Sequence, residues 1–401
     1  MRPTGMKWGD DPVTEAVAMP PDPPDARAIR LFLCGDVMPG RGIDQVLPHT
    51  CDPTLHEPWV TDARHYRTLA ERVSGPIPAP VDFAYVWGDA LDWLARFAPD
   101  RRLINLETAV SCSDAWWRGK GIHYRMHPGN APVLTAAGID ACALANNHVL
   151  DWGYAGLDDT LAALQGVGVA AAGAGERLAA AQAPAVLEAS GKGRVIVLAM
   201  GSGSSGIPAE WAAEADRAGV WRIDEGAERA VAAVAEQVAA IKGPGDVVVA
   251  SVHWGGNWGY AVPAEQRRFA HALIDRAGVD LIHGHSSHHP KGLEVHRGRL
   301  ILYGCGDFLN DYEGIGGETS YRPELTLMYL ADLDPASGRL AGLTLRPMRI
   351  RGFRVMDADG EEADWLLARL NREGEPLGTR FALDGEGSLR LVAHGANREG
   401  A

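Results

Sequence analysis

A chain of 401 residues with 46% hydrophobic content can bury a sizeable core, as one large domain or as two. Its formal net charge is -14 and no basic run exceeds two residues, so the electrostatic footprint of nucleic-acid binding is missing. The opening residues carry no apolar signal region, no stretch approaches the ~18 apolar residues of a membrane span, and five cysteines without CxxC spacing argue against a disulfide framework or a thiolate zinc site. The expectation is a cytosolic protein without a membrane anchor.

Residues 1–27, rich in Pro and Asp, read as a disordered or loosely docked tail. From there the pattern predicts strand 29–35, helix 87–98, strand 102–106, helix 130–138, strand 139–145, helix 154–166 and strand 193–199. Helix 227–242, strand 245–252, helix 263–278, strand 279–283 and strand 299–304 follow. Val231, Val234, Val238 and Ile241 mark one face of the 227 helix, and Pro263 with Glu265 suits the first turn of the 263 helix. This is a βαβ rhythm, which identifies the α/β class. Beyond Tyr303 it changes to a hairpin, 325–333 with 340–349, then a helix over 361–372 and a strand over 388–393. A main domain over 28–350 and a C-terminal extension over 351–401, packing on the same domain, account for this order. The proline-rich segment 44–86 reads as an insertion over the face where the strands end, shaping a substrate pocket.

Several predicted strands end in a polar residue: Asp36, Glu107, Asn147 with His148, His253, and the cluster Gly284-His285-Ser286-Ser287-His288-His289. Singly, Asp36 or Asn147 could be a turn residue, Glu107 a cap, and His253 part of an aromatic cluster with Trp254, Trp258 and Tyr260. Together they converge, because ligands of open α/β sheets bind outside the carboxyl ends of the strands. Carboxylate, amide and imidazole donors without thiolate suit Mn, Fe or Zn, and two such ions can share a bridging carboxylate and a hydroxide. His148, beside Asn147, is then free to act as general acid or base. Asp151 and Trp152 read as the start of the next helix, with Asp151 as N-cap.

The motifs GDVMPGRG at 35–42, NLE at 105–107, LANNHVLDWG at 144–153, VHWGGNWGY at 252–260, GHSSHH at 284–289 and LILYGCGDFLND at 300–311 resemble the CapA family of poly-γ-glutamate capsule synthesis proteins. That family lies within the calcineurin-like metallophosphoesterases. The resemblance covers residues 29–350 and implies a four-layer α-β-β-α sandwich. It also implies two divalent metals: Asp36 and His288 on one, Asn147, His253 and His285 on the other, and Glu107 bridging. Met38 stands where the superfamily's Asp-x-His has its histidine, Asn105-Leu106-Glu107 replaces Gly-Asp-x-x-Asp, and the last motif is one residue longer. These departures put one metal in question and leave both His288 and His289 open as the ligand.

Lys120, His123 and Arg125, three potential cations within six residues, and Arg41 are candidate grips for an anionic substrate. Asp307 and Asn310 are candidates for orienting the imidazoles from behind. The leading expectation is a hydrolase that uses metal-activated hydroxide on a phosphoester or an anionic peptide or polymer. The alternatives are a peptide epimerase exchanging a Cα proton and a non-catalytic binding protein of capsule synthesis.

Overall fold

The computed structural model describes residues 27–317 and 319–394, so the tail expected over residues 1–27 falls, but for Arg27, outside the described residues. Two facing sheets carry the fold. The first runs Thr379–Leu383, Leu389–His394, Arg339–Arg351, Leu325–Asp334, Ile29–Val37, Arg101–Leu106, Ala141–Ala143 and Ala170–Ala172 in spatial order, with Asp307–Leu309 beside the end of Ile29–Val37. The second runs Arg222–Ile223, Gly193–Ser202, Val247–His253, Leu281–His285, Arg299–Leu302 and Leu293–His296. In each, the strands that carry the polar ends lie parallel.

The period-two alternation along the strands sorts side chains into layers. Ile29, Leu31 and Leu33 point between the sheets, where they meet Val195, Val197, Val247 and Val249. Phe32 and Cys34 point the other way, onto Leu94 of helix Ala90–Phe97 and Leu157 of helix Gly153–Gly166. On the far side, Ile196, Leu198, Val248 and Ala250 pack on Val231, Val234 and Val238 of helix Glu228–Ile241 and on Phe269 and Leu273 of helix Ala264–Ala277. The layers are therefore helix, sheet, sheet, helix, the α-β-β-α sandwich. Helix Gly360–Gly374 places Leu366 and Leu370 in the inter-sheet core.

The segment over 130–138 is shorter than expected: Pro132 opens an α-helix of five residues, Pro132–Ala136, after a 3-10 turn over Pro128–Asn130. The 44–86 insertion contains an amphipathic helix, Arg64–Ser74, burying Tyr66 and Ala70. Among the described residues no helix is long and apolar enough to cross a membrane. The five cysteines are free thiols, with Cys34 and Cys142 buried in the core and Cys112 exposed.

Candidate metal centre

The strand ends meet where the two sheets face each other. In the first sheet, pairing with Arg101–Leu106 shifts register between Leu33 and Asp36, and a shift of this kind re-aims the side chain that follows it. Gly35 permits the approach of a neighbouring loop: a Cβ there would lie 1.8 Å from the carbonyl oxygen of Gly306. In the second sheet His253 and His285 are register partners, so both imidazoles emerge side by side. Ser286 adopts φ 99°, a costly conformation for a residue with a Cβ, and its N–H donates to Asp36 Oδ2 at 3.2 Å.

Asp36, His253 and His285 offer donor atoms all within 4.8 Å of one another, and Asp36, His288 and Asp307 do the same. The Nδ1 atoms of His253 and His285 face each other at 2.8 Å, and His253 Nε2 lies 3.0 Å from Asn147 Oδ1. His288 Nδ1 donates to Asp307 Oδ1 at 2.8 Å, and Asn310 Nδ2 donates to Asp307 Oδ2 at 2.8 Å. Asp307 therefore does more than orient from behind, since it belongs to one of the two donor groups. His289 instead packs among Trp258, Tyr260 and Tyr321, so of the two candidate histidines it is His288 that faces Asp36.

Glu107 adjoins both groups. Asn105 Nδ2 donates to Asp36 Oδ1 at 2.8 Å and to Glu107 Oε2 at 3.2 Å, and Glu107 Oε1 lies 3.9 Å from His253 Nε2. Asn146 accepts from the N–H groups of His148 and Val149 and donates to Asn105 Oδ1 and the Leu106 carbonyl, which fixes the loop that presents Asn147 and His148. Neither asparagine is among the expected site residues, and Asn105, a polar residue inside an apolar strand, is the signal that points to one of them.

This donor set fits divalent metal. Burial raises the pKa of Asp36, and the charge of Asp307 raises it further. Burial likewise raises Glu107 well above the usual carboxylate range, with Asp36 adding to it. Burial also pulls His253 and His285 well below the ordinary imidazole value. Crowded carboxylates beside neutral imidazoles are stabilised by a cation placed among them, and the mixed oxygen and nitrogen donors suit Mn, Fe or Zn.

A third group, His271, Glu294 and His296, joins helix Ala264–Ala277 to strand Leu293–His296. Its imidazoles stack at 3.8 Å with planes 7° apart, so no ion can lie in both ring planes. Glu294 is already held by Arg267, Tyr303 and His271, which makes this a packed ion-pair cluster.

His148 is buried against the metal donors and is not one of them. Its Nδ1 is 2.6 Å from Asp151 Oδ2, so the Nδ1–H tautomer leaves Nε2 facing Glu107 Oε1 at 3.8 Å. Burial lowers its pKa to about 4 despite the opposing charge of Asp151, so the resting imidazole is neutral at pH 7. Asp151 corrects the expectation of an N-cap: helix Gly153–Gly166 has Trp152 at that position without a side-chain cap, while Asp151 is buried and also binds Lys120 and the Tyr124 N–H. The signal was the three-residue spacing from His148, which the more familiar cap reading masked.

The candidate substrate grips divide. Lys120 reaches the site, donating to Asp151 and the Asn147 carbonyl with its Nζ 3.1 Å from His148 Nδ1, so its charge is already matched there. Arg41 is held by Asp311, at 2.9 and 2.5 Å, and by Glu57 at 3.0 Å, so it offers no free charge to a substrate. Arg125 donates to the carbonyls of Ser113 and Asp52 and to Asp114, and His123 Nε2 bonds the Trp117 carbonyl. Both are engaged within the loops, with His123 Nδ1 and Arg125 Nε left without a hydrogen-bond partner among the described residues.

Comparison with known proteins identifies the family. The family model described as bacterial capsule synthesis protein PGA_cap matches residues 30–312. A probable polyglutamine synthesis accessory protein of Mycobacterium tuberculosis is 49% identical over 365 residues, spanning 91% of this chain and 96% of the relative. The PGA biosynthesis protein CapA of Bacillus subtilis is 29% identical over 192 residues, 48% of each chain. The capsule biosynthesis protein CapA of Bacillus anthracis is 27% identical over 192 residues, 48% of this chain and 45% of the relative. The chain thus belongs to the bacterial capsule synthesis (CapA) family, within the metallophosphoesterase superfamily.

Proposed function

We propose that this chain is a metal-dependent hydrolase of a phosphoester or peptide bond, acting as an accessory enzyme in the kind of polymer or capsule synthesis for which its relatives are named. The observation that carries this is His148, a buried imidazole held by Asp151 beside two metal-type donor groups without being a member of either. Asp36, His253 and His285 would hold one ion and Asp36, His288 and Asp307 a second, with Glu107 and Asn147 adjoining. Bound Mn, Fe or Zn supplies Lewis-acid activation of water and of the substrate oxygen. The protein's own groups move the proton. His148 Nε2 accepts it from the attacking water and returns it to the leaving atom, while Asp151 keeps Nδ1 protonated and the ring in place. Asn105 and Ser286 hold Asp36, and Asn146 holds the loop that carries His148.

The test is incubation of the Mn²⁺-loaded full chain in deuterated water, with bis(4-nitrophenyl) phosphate and with glutamate-containing peptides. Release of nitrophenol or cleaved peptide is the expected result. Deuterium uptake at Cα without cleavage would identify an epimerase instead, and neither product with metal bound would leave a binding protein.

A further inference from the structure

Beside His288 the donor cluster opens into a cavity of about 390 Å³. Its walls are mainly apolar, with aromatic and aliphatic side chains mixed: Tyr66 and Leu69 from the helix Arg64–Ser74, Ile122, Trp258, Tyr312 and Ile315. Trp59, 94% exposed, stands at this cavity, and Ile122, Trp258 and Ile315 are also exposed. Four large apolar side chains left in water around one opening next to a reactive centre are a recognition feature, since isolated exposed apolar residues are ordinary but a contiguous patch is not.

The charges point the same way. Among the described residues lining the cavity there is one arginine or lysine, Arg41, and its charge is matched by Glu57, also in the wall, and by Asp311. Those three groups sum to -1, on a chain whose net charge is -14. Away from the metal donors, a run of glutamate carboxylates would find no unmatched arginine or lysine among the described residues of the wall and would approach a surface that repels it.

Resting on the hydrolase reading above, we infer that the substrate carries an uncharged aromatic or branched apolar group beside the reacting bond, seated against Trp258, Ile122 and Ile315, and that a glutamate side chain is not what this cavity selects. The volume lies within the range of roughly 300–1,000 Å³ usual for small-molecule sites, so an aromatic group and its neighbouring atoms fit. The 44–86 insertion contributes through Trp59, Tyr66 and Leu69, so the segment that shapes the mouth also sets specificity.

The test uses calorimetric titration of the Mn²⁺-loaded full chain with methylphosphonate, benzylphosphonate and 3-phosphonopropionate. The three share a metal-seeking head and differ in the group that would enter the cavity. Benzylphosphonate is expected to bind at least about tenfold more tightly than methylphosphonate, the scale of burying one apolar side chain, and 3-phosphonopropionate no more tightly than methylphosphonate. Ile122→Asp and Ile315→Asp, both surface changes, should each bring the benzyl-to-methyl ratio toward one. Equal affinities in the parent, tightest binding by 3-phosphonopropionate, or a ratio unchanged in both variants would overturn the inference. If no phosphonate binds, it is the metal-hydrolase reading that fails, and 2-naphthol then decides the cavity separately. Its binding to the parent and loss in the two variants would support the apolar seat, and absence of binding would refute it.

Discussion

Replacing Asp151 by Asn changes one atom and strikes three contacts. In the parent, one carboxylate oxygen accepts from His148 Nδ1 at 2.6 Å and from the Tyr124 N–H at 2.7 Å, and the other accepts from Lys120. An amide has one acceptor. If its oxygen serves His148 and Tyr124, its NH₂ confronts the Lys120 ammonium. If it turns the other way, the NH₂ confronts the Tyr124 N–H and forces His148 into its other tautomer. Breaking a buried pair in this way costs about 3–5 kcal/mol, and because Lys120 retains 16% of its side-chain surface we expect the lower end, ~3 kcal/mol. Turnover should fall by roughly 10²- to 10⁴-fold, the usual contribution of a positioned acid or base, and by less on a nitrophenyl ester, whose leaving group needs no proton. Metal content should not change, because Asp151 touches none of the donors. The assay pairs metal analysis and urea unfolding with turnover on alkyl and nitrophenyl phosphoesters. The double variant Lys120→Met with Asp151→Asn removes the unpaired ammonium, so it should regain part of the stability and none of the turnover. Parental turnover in Asp151→Asn, or loss of metal, would refute the reasoning.

Two further outcomes follow from the geometry. Gly35→Ala drives a Cβ into the Gly306 carbonyl at 1.8 Å, a backbone atom that cannot swing away, so the variant should both unfold at lower urea and lose metal with the displacement of Asp36; parental stability and metal content together would contradict this. Glu294 is the pH-sensitive stabiliser. Burial alone would raise its pKa, but hydrogen bonds from His271, Arg267 and Tyr303 outweigh that and lower it from 4.5 to about 2. A depressed carboxylate contributes stability that is fully present above its unfolded pKa and is lost as pH falls from 4.5 toward 2. Glu294→Gln should therefore cost on the order of 2 kcal/mol at pH 7, discounted for solvent screening of Arg267, and the gap to the parent should narrow below pH 4.5 in urea unfolding. A gap that stays constant with pH would mean that the loss is one of packing.

The residues legible from sequence were those placed by strand periodicity. Asp36, Glu107, Asn147, His253 and His285 each follow an apolar run, and a sheet aligns such ends whatever the intervening loops do. The helices Glu228–Ile241 and Ala264–Ala277 were legible for the corresponding reason at the helical period. What escaped depends on contacts between distant segments. Ala170–Ala172 has no β-branched residue, and only its pairing with Ala141–Ala143 makes it a strand. Asp151 looks like any aspartate before a helix until Lys120, 31 residues away, is placed beside it. Arg41, Arg125 and Lys120 looked like free cations because their partners Asp311, Asp114 and Asp151 come from loops whose positions no local pattern encodes.

The central claim is that the strand-end cluster is a metal centre, and elemental analysis of the purified full chain tests it most directly. The parent should carry Mn, Fe or Zn, and His253→Ala and His285→Ala should each lose most of it while remaining folded. A parent that neither contains nor takes up a divalent metal, or alanine variants that retain the parental content, would contradict the account.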